Sequence, residues 1–221
     1  MTGIALTLAE VESLTHNALA ASGVSVATST RWSPRRWGWG IPSHGLARLP
    51  TCCEHARCGK IDGAATSVLE QPRPGLIRVD AHPAIELGLP ALIAAARSQG
   101  IAALAVTNSY NCGVVGHHVE RIAQAGLLAL GFVNAPAGGR VPVFGTNPMA
   151  FAAPRPDGPP LVLDQSASVI AKSELIQHQQ RGEPIPLGWV VDRDGQPTTD
   201  ATAGLAGSML PSGGYRARAM P

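Results

Sequence analysis

An α/β protein is the fold class this 221-residue sequence predicts. Two observations carry the expectation. From Pro83 onward, segments with helical spacing alternate with apolar runs of strand length. At 45% hydrophobic residues, the chain can also bury the core of one large domain or two small ones. Such alternation ordinarily points to a doubly wound parallel sheet. No G-x-G-x-x-G turn follows any candidate strand, however, so the standard form of that fold has no support.

The elements can be taken in order. Thr7-Leu8-Ala9-Glu10 has the form of a capping box. Leu8, Val11, Leu14, Ala18 and Leu19 then repeat at helical spacing until Gly23, so an amphipathic packing helix opens the chain. Residues 27–39 break the logic, with three of the four tryptophans set among Arg, Ser and Pro without either period. A locally altered reading frame, restored before Ile41, explains this segment more simply than a recognition loop for RNA or a membrane. A helix is expected over Ala84–Gln99, with Gly88 and Pro90 able to delay its start to about Pro90. Ile101–Thr107 reads as a buried strand, Val114–Gln124 as a helix and Leu127–Val133 as a second strand. Met149–Ala153 and Leu161–Asp164 follow as strands and Val169–Gln180 as a helix; Gly, Pro and Thr after Arg181 signal long loops.

Composition excludes several classes. A net charge of +2 gives no electrostatic case for nucleic acid or an anionic membrane, and 4% aromatic residues argue against base-stacking surfaces. No secretory leader is evident and no run reaches the roughly 18 apolar residues of a membrane span. The expectation is a cytoplasmic protein. Cys52-Cys53-Glu54-His55-Ala56-Arg57-Cys58 looks superficially like a zinc site, but no second knuckle answers it, so no metal is expected.

The most chemical stretch is Ser43-His44-Gly45-Leu46-Ala47-Arg48. On a helix starting near Ser43, His44 and Arg48 fall at i and i+4 on one face. Imidazole exchanges protons near neutral pH, and guanidinium grips a planar carboxylate with two hydrogen bonds. Together they suit a small acid with a carbonyl or hydroxyl beside its carboxylate.

Further blocks follow: N-S-Y-N-C-G-V-V-G-H-H-V-E at 108–120, V-F-G-T-N-P-M-A-F at 143–151 and L-V-L-D-Q-S at 161–166. G-E-P-I-P-L-G-W at 182–189, D-G-Q-P-T-T-D at 194–200 and L-P-S-G-G-Y at 210–215 complete the set. In this order the blocks resemble the type-2 malate/L-lactate dehydrogenase family, which also holds sulfolactate and ureidoglycolate dehydrogenases and piperideine/pyrroline-2-carboxylate reductases. The resemblance implies a non-Rossmann fold, with a mixed, largely antiparallel sheet and flanking helices, and a homodimer. It implies NAD or NADP as cofactor and a small 2-hydroxy or 2-oxo acid as substrate. The Asn-Cys-Gly variant and its His-His-Val-Glu sequel lean towards lactate- or sulfolactate-like acids, and a cyclic imino acid is the alternative.

Residue roles come from the same resemblance. His44 is the proton donor, oriented by Ser43; Arg48 and Thr146 bind substrate. Asn111, Cys112, Gly113, Val114 and Val115 form a loop and helix start whose N–H groups could meet a pyrophosphate. Asp164, Gln165, Ser166, Gly213 and Gly214 add cofactor contacts. His117 and His118, about 100° apart on a helix, are not expected to serve one site together. Three departures stand out. Asn111 replaces a histidine, which throws the acid role onto His44. The carboxylate of imine-reducing relatives should fall near His178, where Glu174 and Glu183 are the nearest acids. The family pattern continues for about another hundred residues past G-G-Y. A truncated member is therefore expected, incomplete at its C-terminus, with residues 1–80 as a helical region holding the Ser-His-Gly motif and 81–221 as a truncated cofactor-binding domain. A non-catalytic family member is the reading from another class.

Overall fold

The computed structural model describes residues 6–25, Leu46, and 49–81, 84–110, 112–133 and 147–212. Helix α1 (Leu8–Ala20) starts at the expected capping box: the Thr7 N–H donates to Glu10 at 2.7 Å, and the Glu10 N–H to the Thr7 hydroxyl at 3.3 Å. Its inward face is narrower than the apolar repeat implied. Leu19 and Thr15 are buried, but Leu8 and Leu14 are exposed. Thr15 tolerates burial because its hydroxyl donates to the Val11 carbonyl at 2.8 Å. Helix α2 (Leu49–Arg57) lies against α1, where Cys52 and Cys53 join Leu19 and Val24 in a small core.

Two strands then appear where only a helical region was expected. β1 (Val68–Arg73) and β2 (Leu76–Asp80) form an antiparallel hairpin around Pro74-Gly75. Pro72 is tolerated because β1 is an edge strand. Helix α3 (Ala84–Gln99) crosses over to β3 (Ala103–Thr107), which pairs with β2 in parallel. Hydrogen bonds thus join residues on both sides of position 80/81. Pro90 lies inside α3 and does not delay its start. It forgoes only its own N–H bond, while Ile77, Val79 and Ala95 are buried between helix and sheet. Gly88 is a packing residue here: a Cβ on it would sit 2.6 Å from a Leu104 methyl.

The second layer is a meander. Helix α4 (Val115–Gln124) leads to β4 (Ala129–Phe132), then β5 (Met149–Ala153) and β6 (Leu161–Gln165), all antiparallel. Val115, Val119 and Ala123 of α4 bury against Ala129, Ala150 and Ala152. An ion pair between Arg121 and Glu86 at 2.7 Å ties α4 to α3. Last come α5 (Lys172–Arg181), β7 (Val190–Val191), α6 (Ala201–Ala206) and β8 (Ser208–Met209), packed around Leu175, Ile185, Val190 and Ala201. The segment after Arg181 is therefore more regular than the long loops expected, with Asp200 capping α6. Helix α5 starts three residues later than expected, because Ser168 and Val169 bond instead to residues 210–211.

Among the described residues one strand pairing of five, β2–β3, is parallel. The mixed, largely antiparallel character agrees with the expectation, although the strands form three small sheets. No helix among the described residues is long and apolar enough to cross a membrane.

Candidate active site

Ser43, His44, Arg48, Asn111, Thr146, Gly213 and Gly214 lie outside the described residues. The rest of the expected set converges at the end of β6. Val114 occupies the N-cap position of α4 in an extended conformation and has no side chain able to cap. Asp164, almost fifty residues on, does that work: its Oδ2 accepts the Gly116 N–H at 2.6 Å. Gly116 must be small for this, since a Cβ there would lie 3.0 Å from the carboxylate. A carboxylate at a helix N-terminus is favoured by the helix dipole as well as by the bond.

Cys112 sits beside this cap. Its carbonyl meets His118 Nε2 at 2.7 Å, so His118 folds back over the loop from α4. Burial pushes the Cys112 thiol pKa up, and the Asp164 charge adds to the rise, so at neutral pH it is a protonated packing group. Gly113 has φ of +73°, a conformation that favours glycine, and among the described residues nothing lies within 4 Å of where its Cβ would be. Val114 and Val115 are buried, so they offer a ligand backbone only.

Beyond Asp164, the exposed Gln165 ends β6. Ser166 then begins a clasp: its hydroxyl meets that of Ser168 at 2.9 Å, and its carbonyl accepts the Ser212 hydroxyl at 2.9 Å. The Ser212 N–H also donates to Ala167 at 2.9 Å. Ser212 directly precedes Gly213, so two blocks read separately in the sequence are adjacent in the fold.

This geometry sets what a nicotinamide cofactor could find. A pyrophosphate brought to the Gly116 N–H would meet the Asp164 carboxylate already there. Asp164 fits instead a neutral group that donates hydrogen bonds, such as a ribose hydroxyl or a carboxamide.

The remaining candidates disperse. Cys53 Sγ lies 3.6 Å from the Ala18 carbonyl, Cys52 is buried, His55 contacts Tyr110 and Cys58 is exposed. Among the described residues no three His, Cys, Asp or Glu side chains are grouped to hold a metal. Glu174 is half-buried in the first turn of α5. Glu183 reaches His178 Nδ1 at 3.9 Å and Arg181 at 3.1 Å, beside a cleft of about 340 Å³ lined also by Thr199 and Asp200. Sequence reasoning did not find the His55–Tyr110 pair or the Ser166–Ser212 clasp. Neither has a spacing signature, because each joins segments at least 46 residues apart.

The profile of the Malate/L-lactate dehydrogenase family matches residues 6–220. The chain belongs to that family. A Delta(1)-pyrroline-2-carboxylate/Delta(1)-piperideine-2-carboxylate reductase of Pseudomonas aeruginosa is 48% identical over 188 residues, covering 80% of this chain and 56% of that protein. A (2R)-3-sulfolactate dehydrogenase (NADP(+)) of Chromohalobacter salexigens is 45% identical over 184 residues, 79% of this chain and 55% of that protein. The crystal structure of a delta1-piperideine-2-carboxylate reductase from Pseudomonas syringae pv. tomato superposes with a TM-score of 0.86 at 34% identity, covering 97% of this malate/L-lactate dehydrogenase family member and 69% of that chain. The chain thus spans about 56% of the length of the first curated relatives it matches.

Proposed function

We propose that this family member carries the hydride-transfer site of an NAD(P)-dependent oxidoreductase acting on the carbon beside a carboxylate. The observation that carries the reading is the meeting of Cys112-Gly113, Asp164 and the Ser166–Ser212 clasp at one sheet end. When bound, a reduced nicotinamide supplies the hydride. Asp164 both fixes α4 through the Gly116 N–H and accepts hydrogen bonds from the neutral part of the cofactor. By family resemblance His44, oriented by Ser43, gives a proton to the reduced group, Arg48 grips the carboxylate and Thr146 orients the substrate.

Two substrate classes share this chemistry: a 2-oxo acid reduced to a 2-hydroxy acid, and a cyclic imino acid reduced to the amine. The names of two of the relatives above favour the cyclic imino acid, and the sulfolactate enzyme keeps the 2-oxo acid as second reading. A panel at 340 nm decides, with NADH and NADPH each offered with piperideine-2-carboxylate and with pyruvate-like acids. Oxidation of reduced cofactor with the cyclic imine is the expected result. No saturable cofactor binding by the purified chain, measured by calorimetry, would sink the proposal and leave a non-catalytic family member.

Two further readings belong here. Free thiols at Cys52, Cys53, Cys58 and Cys112 suit a reducing compartment and support the cytoplasm. The exposed apolar residues Leu130, Phe132, Met149, Leu161 and Leu163 on one side of the β4–β6 sheet support a homodimer, with a second copy covering them. Their area is on the order of 500 Å², at the upper end of what a monomer leaves in one patch.

A further inference from the structure

We propose that the hydrogen bond between His55 and Tyr110 is a latch that sets the cofactor loop against the helix carrying on from the substrate motif. The inference rests on the functional reading above and adds two positioning residues to it. His55 Nδ1 lies 2.6 Å from the Tyr110 hydroxyl, and the rings meet edge to face with centroids 5.6 Å apart. Each partner is joined in sequence to one half of the candidate site. His55 belongs to α2, whose first residue, Leu49, directly follows Arg48. Tyr110 is followed at once by Asn111, Cys112 and Gly113.

Among the described residues this bond is a polar tie between α2 and the loop. Tyr110 packs on the α1–α2 core of Leu19, Val24, Cys52 and Cys53, and among the described residues it is that cluster's only member beyond Ala56. The polar ties of Cys53 to Ala18 and of Arg57 to Ser22 hold α2 to α1 and do not reach the loop. On its other side the loop is fixed by His118 on the Cys112 carbonyl and by Asp164 on Gly116. The loop is therefore gripped from α4 and β6 on one side and from α2 on the other. Hydride transfer is sensitive to misplacement of about 1 Å, so the bond that fixes this spacing bears on turnover.

The hydroxyl can donate to a neutral Nδ1, or a protonated Nδ1 can donate to the phenol oxygen. An asparagine at 55 places an amide near the Nδ1 position and can keep the bond, whereas alanine cannot.

The test uses the full chain with Tyr110→Phe, His55→Ala and His55→Asn. Iodoacetamide labelling is followed by peptide mass mapping, with exposed Cys58 as the internal standard for largely buried Cys112. The expected result is about tenfold faster Cys112 labelling in Tyr110→Phe and His55→Ala, with His55→Asn close to wild type. With the substrate found in the 340 nm panel, the same two variants should lose more in kcat than they gain in KM. Unchanged Cys112 labelling in both variants overturns the latch, as does His55→Asn behaving like His55→Ala. Faster labelling in a chain that binds no nicotinamide would leave the latch standing and remove the oxidoreductase reading instead.

Discussion

In the first sheet, the face turned away from α3 carries the cross-strand rows Glu70–Arg78–Ala105 and Val68–Asp80–Thr107. The corresponding face of the second sheet, turned away from α4, carries Leu130–Phe151–Leu163 and Phe132–Met149–Gln165. Each sheet has one helix packed close on its other side. The first is finished mostly by polar or small residues, with Val68 and Leu76 as its apolar members, and can face water, as antiparallel-edged sheets commonly do. The second is apolar on both faces, with Phe132 70% exposed and Leu130 64%. So much exposed apolar surface on one face is what supports the proposed second copy there.

The largest effect that tests this contrast comes from paired substitutions. Ile77→Ala, at a fully buried position of the first sheet, should cost about 3 kcal/mol by urea unfolding. Leu163→Glu, on the open face of the second, should cost under about 1 kcal/mol in the monomer and abolish self-association in sedimentation. Equal losses of stability for the two would show that the open face is packed within the monomer, and the contrast would fail.

Glycines give the next test. Each helix–sheet contact includes a glycine against apolar side chains, Gly88 on α3 and Gly131 on β4. A Cβ at Gly131 would lie 2.9 Å from Val115 and 3.0 Å from Val119, whose branched side chains are stiff. A Cβ at Gly88 meets mainly the far ends of the more adaptable Leu104, at 2.6 and 2.9 Å, and one stiff neighbour, Val79, at 3.0 Å. Gly131→Ala should cost about 2 kcal/mol and Gly88→Ala about 1 kcal/mol. A reversed order in thermal melts would mean that the α3 contact is the tighter one.

A smaller effect attaches to the polar end of the second layer. Asp164→Ala leaves the Gly116 N–H without its acceptor and should destabilise by about 1 kcal/mol. Asp164→Asn keeps an acceptor without the charge and should recover about half of that. In hydrogen exchange the Gly116 amide should lose protection in the alanine variant while the Ile77 amide does not; loss at both would mean that the two layers open together.

Much of this arrangement could be read from the residues. Met149–Ala153 appears as a strand because it is a short run of five apolar residues, and Thr7 with Glu10 states the start of α1. The β1–β2 hairpin was legible in Pro74-Gly75 and in the alternation of Leu76 to Asp80, but the prolines at 72 and 74 masked it. Pro90 and Gly88 misled in the other direction, because burial of Ile77 and Val79 outweighs one missing N–H bond. Asp164 was placed near the cofactor by family resemblance alone. Its bond to Gly116 had no local signal, since a cap supplied from another strand depends on the tertiary fold. The same holds for His55 and Tyr110, whose partnership is not encoded in the spacing of either.

The smallest expected effect lies on the polar face of the first sheet. The Thr107 hydroxyl hydrogen-bonds to Asp80, Asn108 adds a second bond at 2.8 Å, and together with Arg78 and the Ala81 N–H they hold the Asp80 pKa below the ordinary value of 3.8. The sign follows from linkage. A carboxylate whose pKa is depressed by folding contributes stability above its unfolded value and loses it as pH falls through the folded one. The contribution is therefore intact at pH 5 and above and disappears below about pH 4. Thr107→Val removes the largest cause of the shift. Its destabilisation relative to wild type should be constant from pH 5 to 7 and shrink below pH 4, read as the difference between the two urea midpoints. The open face of the second sheet carries no such group in its Leu130–Phe151–Leu163 row, so Leu163→Gln should show a pH-independent difference. A Thr107→Val difference that stays flat through pH 3 would mean that Asp80 gains nothing from the hydroxyl, and the polar face would then be merely wet.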